Sequence, residues 1–261
     1  MILYFEVHSF TQKIFHGNPA GVCPLDQWID DDSMQRIAAE NNLSETAFFV
    51  PKENRYELRW FTPTVEVDLC GHATLASAYV LFQHLGYEGE AVVFETKSGG
   101  LTVWKDNDFL IMDFPSRPAE RTAVPEHLIS GLGKKFKNVF KARDYLVVLD
   151  SEKEVRDLRP DFSELEKVDC EGVIATAPGD DADFVSRFFA PRMGIPEDPV
   201  TGAAHSTLTP YWAERLGKNR LFARQVSKRG GDLWCRQTDD RVQIAGHAAL
   251  YFKGMLNWEA E

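Results

Sequence analysis

Arg59-Trp60-Phe61-Thr62-Pro63 returns as Arg187-Phe188-Phe189-Ala190-Pro191, 128 positions later. Gly71, Gly86 and Gly99 return as Gly202, Gly217 and Gly230, each 131 positions later, so the second copy holds three extra residues between its anchors. The flanking words agree as well, HLG with RLG and KSGGLTVW with KRGGDLWC. A five-residue word followed by three glycines in one register marks an internal duplication of roughly 115–130 residues. Whatever one half builds, the other must build again. The seam falls in PSRPAERTAVPEH, residues 115 to 127, where three prolines cannot donate to a central ladder. The expected division is therefore residues 1–115 and 116–261.

Each half reads as strands plus one long helix. YELRWFTP, AVVFETKSGG, LTVW and FLIMDF are strand-like in the first half; GVIATAP, DFVSRFFAP, DLWCRQ and RVQIAGHAALYF are strand-like in the second. The helix follows the shared glycine, over Ala73 to His84 and Ala203 to Arg215. ATLASAYVLFQH is apolar nearly all round, the mark of a helix enclosed by other elements. The expected fold class is α+β: two pseudo-symmetric domains, each a curved, mostly antiparallel sheet wrapped around a central helix. DDSMQRIAAE, residues 31 to 40, predicts a second helix with Asp and Ser available to cap it, and LRPDFSELEKVD is its expected counterpart.

Bulk properties narrow the function. Hydrophobic residues at 44% and charged residues at 26% suit a soluble globular chain, and a net charge of -11 argues against a nucleic-acid partner. The basic clusters, GKKFK at 133–137 and Lys228-Arg229, read as solvated surface. No apolar run reaches the length of a membrane span, and the N-terminus lacks the charged region and cleavage site of a signal peptide. Cys23, Cys70, Cys170 and Cys235 show no paired framework, which suits a reduced cytoplasmic setting. No metal site and no cofactor are expected, because the histidines are scattered and no His/Cys cluster is visible.

The two helix starts carry the functional signal. A helix N-terminus presents N–H donors and partial positive charge, and glycine there lets a ligand approach the backbone. Gly71 and Gly202 would thus form two anion sites facing one cleft between the halves, suited to a small carboxylate. Ionisable residues stand beside them. His72 opens the first helix, Asp198 precedes the second, and Glu45 sits just before an apolar strand, where desolvation would raise its pKa and suit general acid/base work. Each also has a plainer structural use: a cap shared with Ser44 for Glu45, a cap donor for His72, an Asx turn for Asp198.

Four motifs then resemble one family. FHGNPAGV (Phe15 to Val22), NLSETAFF (Asn42 to Phe49), RWFTPTVEVDLCGHATLA (Arg59 to Ala76) and EDPVTGAAH (Glu197 to His205) occur in the order found in the phenazine biosynthesis PhzF family. The resemblance implies the diaminopimelate epimerase fold, an active site between two related domains, and a homodimer. It implies a cofactor-free isomerase in which Glu45 shuttles a proton, with His72 and Asp198 as its catalytic partners. Gly71, Asn18, Gly202 and Ala203 fall at the substrate-binding positions. Where the phenazine enzyme has a serine that touches substrate, this chain has Ala203, so the same substrate is not carried over. The expected reaction is proton movement on a small, cyclic amino or hydroxy carboxylic acid. The competing expectation is a non-catalytic carboxylate-binding or scaffold protein that keeps the fold. Cys70, beside Gly71, stands where the epimerases of this fold carry the first of two catalytic cysteines; the second copy has none nearby, and a buried inert thiol is the plainer use.

Overall fold

The computed structural model describes residues 1–136 and 138–258; Lys137, the last residue of the GKKFK segment, lies outside them. The chain forms two compact units. The first comprises Met1–Asp113 and the segment from Ala245 onward, and the second spans Phe114–Ile244.

In chain order the elements of the first stretch are β1 (Ile2–Ser9), β2 (Asn18–Pro24), α1 (Asp31–Asn41), β3 (Glu45–Lys52), β4 (Arg55–Phe61), β5 (Glu66–Val67), α2 (Gly71–His84), β6 (Ala91–Thr96), β7 (Gly99–Asp106) and β8 (Phe109–Pro115). There follow β9 (Glu120–Arg121), α3 (Leu128–Leu132), β10 (Asn138–Lys141), β11 (Tyr145–Val148), α4 (Glu152–Arg156), α5 (Phe162–Leu165), β12 (Val173–Pro178), β13 (Phe184–Ala190), β14 (Ile195–Asp198), α6 (His205–Leu216), β15 (Arg220–Gln225), β16 (Gly231–Thr238), β17 (Arg241–Gly246) and β18 (Ala248–Leu256).

The duplication is visible in the ladders. In the first unit β1 pairs antiparallel with β2, β2 parallel with β3, β3 antiparallel with β4, β4 parallel with β6, and β6 antiparallel with β7. The second unit repeats this order with β10, β11, β12, β13, β15 and β16. The short β5 and β14 pair antiparallel with β4 and β13 at equivalent places. The α+β class with a sheet around a central helix thus holds.

Period-two alternation sorts the first unit's side chains to the two faces of its sheet. Ile2, Tyr4, Cys23, Phe48, Val50 and Phe61 meet Met34 and Ala38 of α1 on one face. On the other, α2 contacts β1, β2 and β3. Strands covered on both sides read as unbroken apolar runs, as TAFFV does. Helix α2 is buried from Gly71 to Ala78, which explains its all-round apolar sequence. In α6, Pro210 has no N–H to give the Ser206 carbonyl; the Arg117 amide donates to it instead at 2.9 Å.

A buried or half-buried clasp recurs in both units. Arg59 Nε and Nη2 donate to Glu66 at 2.8 and 2.9 Å, and Arg187 Nε and Nη2 donate to Glu197 at 2.7 and 2.8 Å. Each guanidinium also lies over the phenylalanine two residues on, Phe61 at 5.1 Å and Phe189 at 4.9 Å. The clasp pins the short strand that leads to each central helix.

Three expectations are corrected. RVQIAGHAALYF is two strands, broken at His247, and β18 pairs antiparallel with β1; residues 116–261 are therefore not one unit. Gly246 allows the break, since Phe10 packs so close that a Cβ there would lie 2.5 Å from its ring, while the Phe10 amide donates to the His247 carbonyl. LRPDFSELEKVD holds the single turn α5, preceded by α4, rather than a full counterpart of α1. Helix α6 begins at His205, so Gly202 and Ala203 lie in a lead-in turn closed by bonds from His205, Ser206 and Thr207 to the carbonyls three residues back. Among the described residues no helix is long and apolar enough to cross a membrane.

Candidate active site

Glu45 and His72 come together in the first unit. Helix α1 ends at Asn42, whose left-handed φ of 49° turns the chain back. Three residues later Glu45 opens β3, beside Ala20 of β2. His72 is the second residue of α2. Its Nε2 lies 3.3 Å from Glu45 Oε2, within hydrogen-bond reach though not in line for it. The Glu45 side chain is 12% exposed and that of His72 6%. Ser9 Oγ donates to the His72 carbonyl at 2.7 Å and Thr74 Oγ1 to the Cys70 carbonyl at 2.6 Å, fixing this helix start. Asn18 opens β2 opposite Ser9 and is fully buried. Gly71 is the first residue of α2, where the leading amides have no acceptor within the helix.

Burial pushes the His72 imidazole down to about 3, against a small opposing effect of the Pro19 carbonyl. The ring is neutral at ordinary pH, so its contact with Glu45 is not an ion pair. Among the described residues Glu45, Cys70 and His72 form the one group of three metal-type donors, all within 4.8 Å of one another. Cys70 Sγ is 3.5 Å from His72 Nδ1, whereas the carboxylate faces Nε2. The thiol and the carboxylate thus lie close to each other as well as to the ring, and the three form a compact cluster.

In the second unit Asp198 closes β14 and is 8% exposed. Thr201 Oγ1 donates to its Oδ2 at 2.5 Å. Gln225 holds the whole turn: its Nε2 donates to the Asp198 carbonyl at 2.7 Å, and its Oε1 accepts from the Thr201 amide at 2.9 Å. His205 Nδ1 donates to the Thr201 carbonyl at 2.9 Å, the place taken in α2 by the Thr74 hydroxyl. Ser227 Oγ donates to the Pro199 carbonyl at 2.7 Å. Gly202 and Ala203 follow in the lead-in turn. The sequence pointed to Asp198 but not to Gln225 or Ser227, which carry no local motif. Thr201 and His205 stood inside the EDPVTGAAH word, and the duplication puts Thr201 at the place of Cys70.

The two copies differ where the chemistry sits. Thr46 pairs with Phe61 as Val173 pairs with Phe189, so the counterpart of Glu45 is Gly172. A Cβ at Gly172 would meet the Phe188 ring at 2.2 Å. The second copy fills with an aromatic ring the space that the first gives to a carboxylate.

Residues 7–254 match the family described as PhzC-PhzF, phenazine biosynthesis-like protein. The chain belongs to this family. An uncharacterized isomerase of Pseudomonas aeruginosa is 53% identical over 253 residues, spanning 97% of this chain and 98% of its own. The crystal structure of a PhzF-family phenazine biosynthesis protein from Enterococcus faecalis is 47% identical, with a TM-score of 0.95 over 97% of this chain and 98% of that one. A probable proline racemase from Agrobacterium radiobacter K84 is 10% identical with a TM-score of 0.67, over 99% and 94% of the two chains, and shares the fold.

The buried histidines of this family member bear on acid stability. Burial holds His205 down to about 4, as it holds His72 to about 3. Both folded values lie below the unfolded value of about 6.5. The stabilisation is therefore complete above that value and is lost as pH falls, because the unfolded chain takes up protons the folded one refuses. Each pH unit costs about 1.4 kcal/mol per ring. At about pH 4.5 each unit is expected to lose roughly 2–3 kcal/mol through its own histidine. Urea unfolding at that pH and at neutrality measures the loss, and His205→Gln should flatten the second unit's share.

Proposed function

We propose that this protein is a cofactor-independent isomerase that moves a proton on a small amino or hydroxy carboxylic acid, with Glu45 as the general acid/base. The observation that carries the reading is the Glu45–His72 contact: a nearly buried carboxylate 3.3 Å from a neutral imidazole, at the start of a helix whose amides suit an anion. The carboxylate removes a proton from a carbon next to an electron-withdrawing group and returns it at another position. His72, being neutral, stands beside the carboxylate without pairing its charge. Gly71 and the amides after it hold the substrate carboxylate, and Asn18 lines the same reaction. In the second unit, Asp198 suits an amine or hydroxyl, and the amides of Gly202 and Ala203 suit a carboxylate. Ala203 offers no hydroxyl, which favours a substrate with a less polar edge than one read by serine.

The similarity to a protein named an isomerase supports the reaction class. The absence of a second carboxylate at Gly172 supports a single acid/base. Proton NMR in D₂O tests the reading, with a panel of cyclic and acyclic amino and hydroxy carboxylates. Loss of a C–H signal on one class of compound is the expected result. Line-broadening of bound compounds with no exchange anywhere would instead favour a carboxylate-binding protein.

A further inference from the structure

Cys70 occupies the N-cap position of α2, yet its side chain makes no cap hydrogen bond. Its Sγ instead lies 3.5 Å from His72 Nδ1, and the residue is 6% exposed. The three side chains thus form a compact cluster, with the thiol beside Nδ1 and the carboxylate beside Nε2.

A neutral imidazole has one N–H and one bare nitrogen, and its neighbours decide which is which. An ionised Glu45 can only accept. A bare Nε2 at 3.3 Å would set lone pair against lone pair, so the ring proton belongs on Nε2. Nδ1 is then bare and requires a donor. The Pro19 carbonyl beside the ring can only accept. The thiol is the group placed to give Nδ1 a proton, as a weak donor.

We infer that Cys70 is a positioning residue for the proton-transfer pair: its S–H, donated to Nδ1, keeps the His72 proton on Nε2, the nitrogen nearer Glu45. This rests on the Glu45 reading for its catalytic consequence, but not for its structural content. When Glu45 carries the substrate's proton, the carbonyl oxygen of its carboxyl group can still accept, so the ring keeps the same tautomer through the cycle. No proton is passed to the thiol and no bond forms at sulfur.

The test is nitrogen NMR on protein labelled with ¹⁵N-histidine, read at His72 in the intact chain. In the wild type Nε2 should show the shift and one-bond coupling of a protonated nitrogen, and Nδ1 the shift of a bare one. Cys70→Ala should mix the two tautomers, and Cys70→Ser, which keeps a donor, should restore the wild-type pattern. On a compound that exchanges in D₂O, Cys70→Ala should slow exchange about two- to tenfold, the worth of one ordinary hydrogen bond, with recovery in Cys70→Ser. A proton on Nδ1 in the wild type overturns the inference, and so does a Cys70→Ala spectrum like that of the wild type. The expected tautomer pattern with no exchange on any compound sustains the Cys70 assignment and counts against the isomerase reading.

Discussion

Glu45→Gln is expected to lower the rate of proton exchange by about 10²–10⁴-fold, the usual contribution of one general acid/base. The amide keeps the shape and one hydrogen-bonding oxygen but cannot take a proton from carbon. Stability should change by no more than about 1 kcal/mol, because the neighbouring ring is neutral and no ion pair is lost. Glu45→Asp separates charge from reach. It keeps the carboxylate but withdraws its oxygens by roughly 1 Å, and a displacement of that size alone can cost on the order of 10²-fold. Paired measurements of exchange rate and urea midpoint on both variants check this. A Glu45→Gln variant that exchanges at the wild-type rate would assign the proton to another group.

Arg187→Ala is expected to destabilise the second unit by about 3–5 kcal/mol, the typical cost of removing one partner from a buried ion pair. The guanidinium is 11% exposed, and its Nη1 donates to the carbonyls of Val155 and Leu158 at 3.2 and 3.0 Å. Alanine leaves the Glu197 carboxylate and both carbonyls without these donors. Arg59 makes the same fork in the first unit but is 20% exposed, and its Nη1 goes to Asp31, itself 75% exposed. Arg59→Ala should therefore cost less, about 1–3 kcal/mol. Arg187→Lys should recover little, since an ammonium cannot reproduce the two-toothed fit. Urea unfolding of the three variants gives the ranking. Glu197 directly precedes Asp198, so Arg187→Ala should also blur the position of that carboxylate.

Much of this architecture was written in the repeat. The shared glycines located the start of α2 and the turn that leads into α6, because those positions depend on local chemistry; the forked clasps within the repeated words emerged only in the structure. The extent of each unit was less accessible. RVQIAGHAALYF alternates without interruption, and the break at His247 depends on Phe10, more than 230 residues earlier. The contact of Glu45 with His72 joins a strand start to a helix start across 27 positions, so spacing alone could not reveal it. Gln225 was invisible for a similar reason. It reaches the Asp198 turn because β15 runs parallel to β13, a pairing that leaves no mark near Gln225 itself. The difference between Glu45 and Gly172 appears only when the two ladders are laid in register.

The ladder between β1 and β18 has a consequence in time. The second unit, Phe114–Ile244, is one continuous stretch, and every strand it needs emerges from the ribosome ahead of β18. The first unit holds the Glu45–His72 pair, yet its β1 waits for a partner that comes some of the last in the sequence. Pairing across so long a separation closes a large loop and is intrinsically slow. During synthesis the chain would therefore carry a finished second unit beside an unfinished first one, its β1 edge open until β18 arrives. The half that bears the acid/base is the half that matures last.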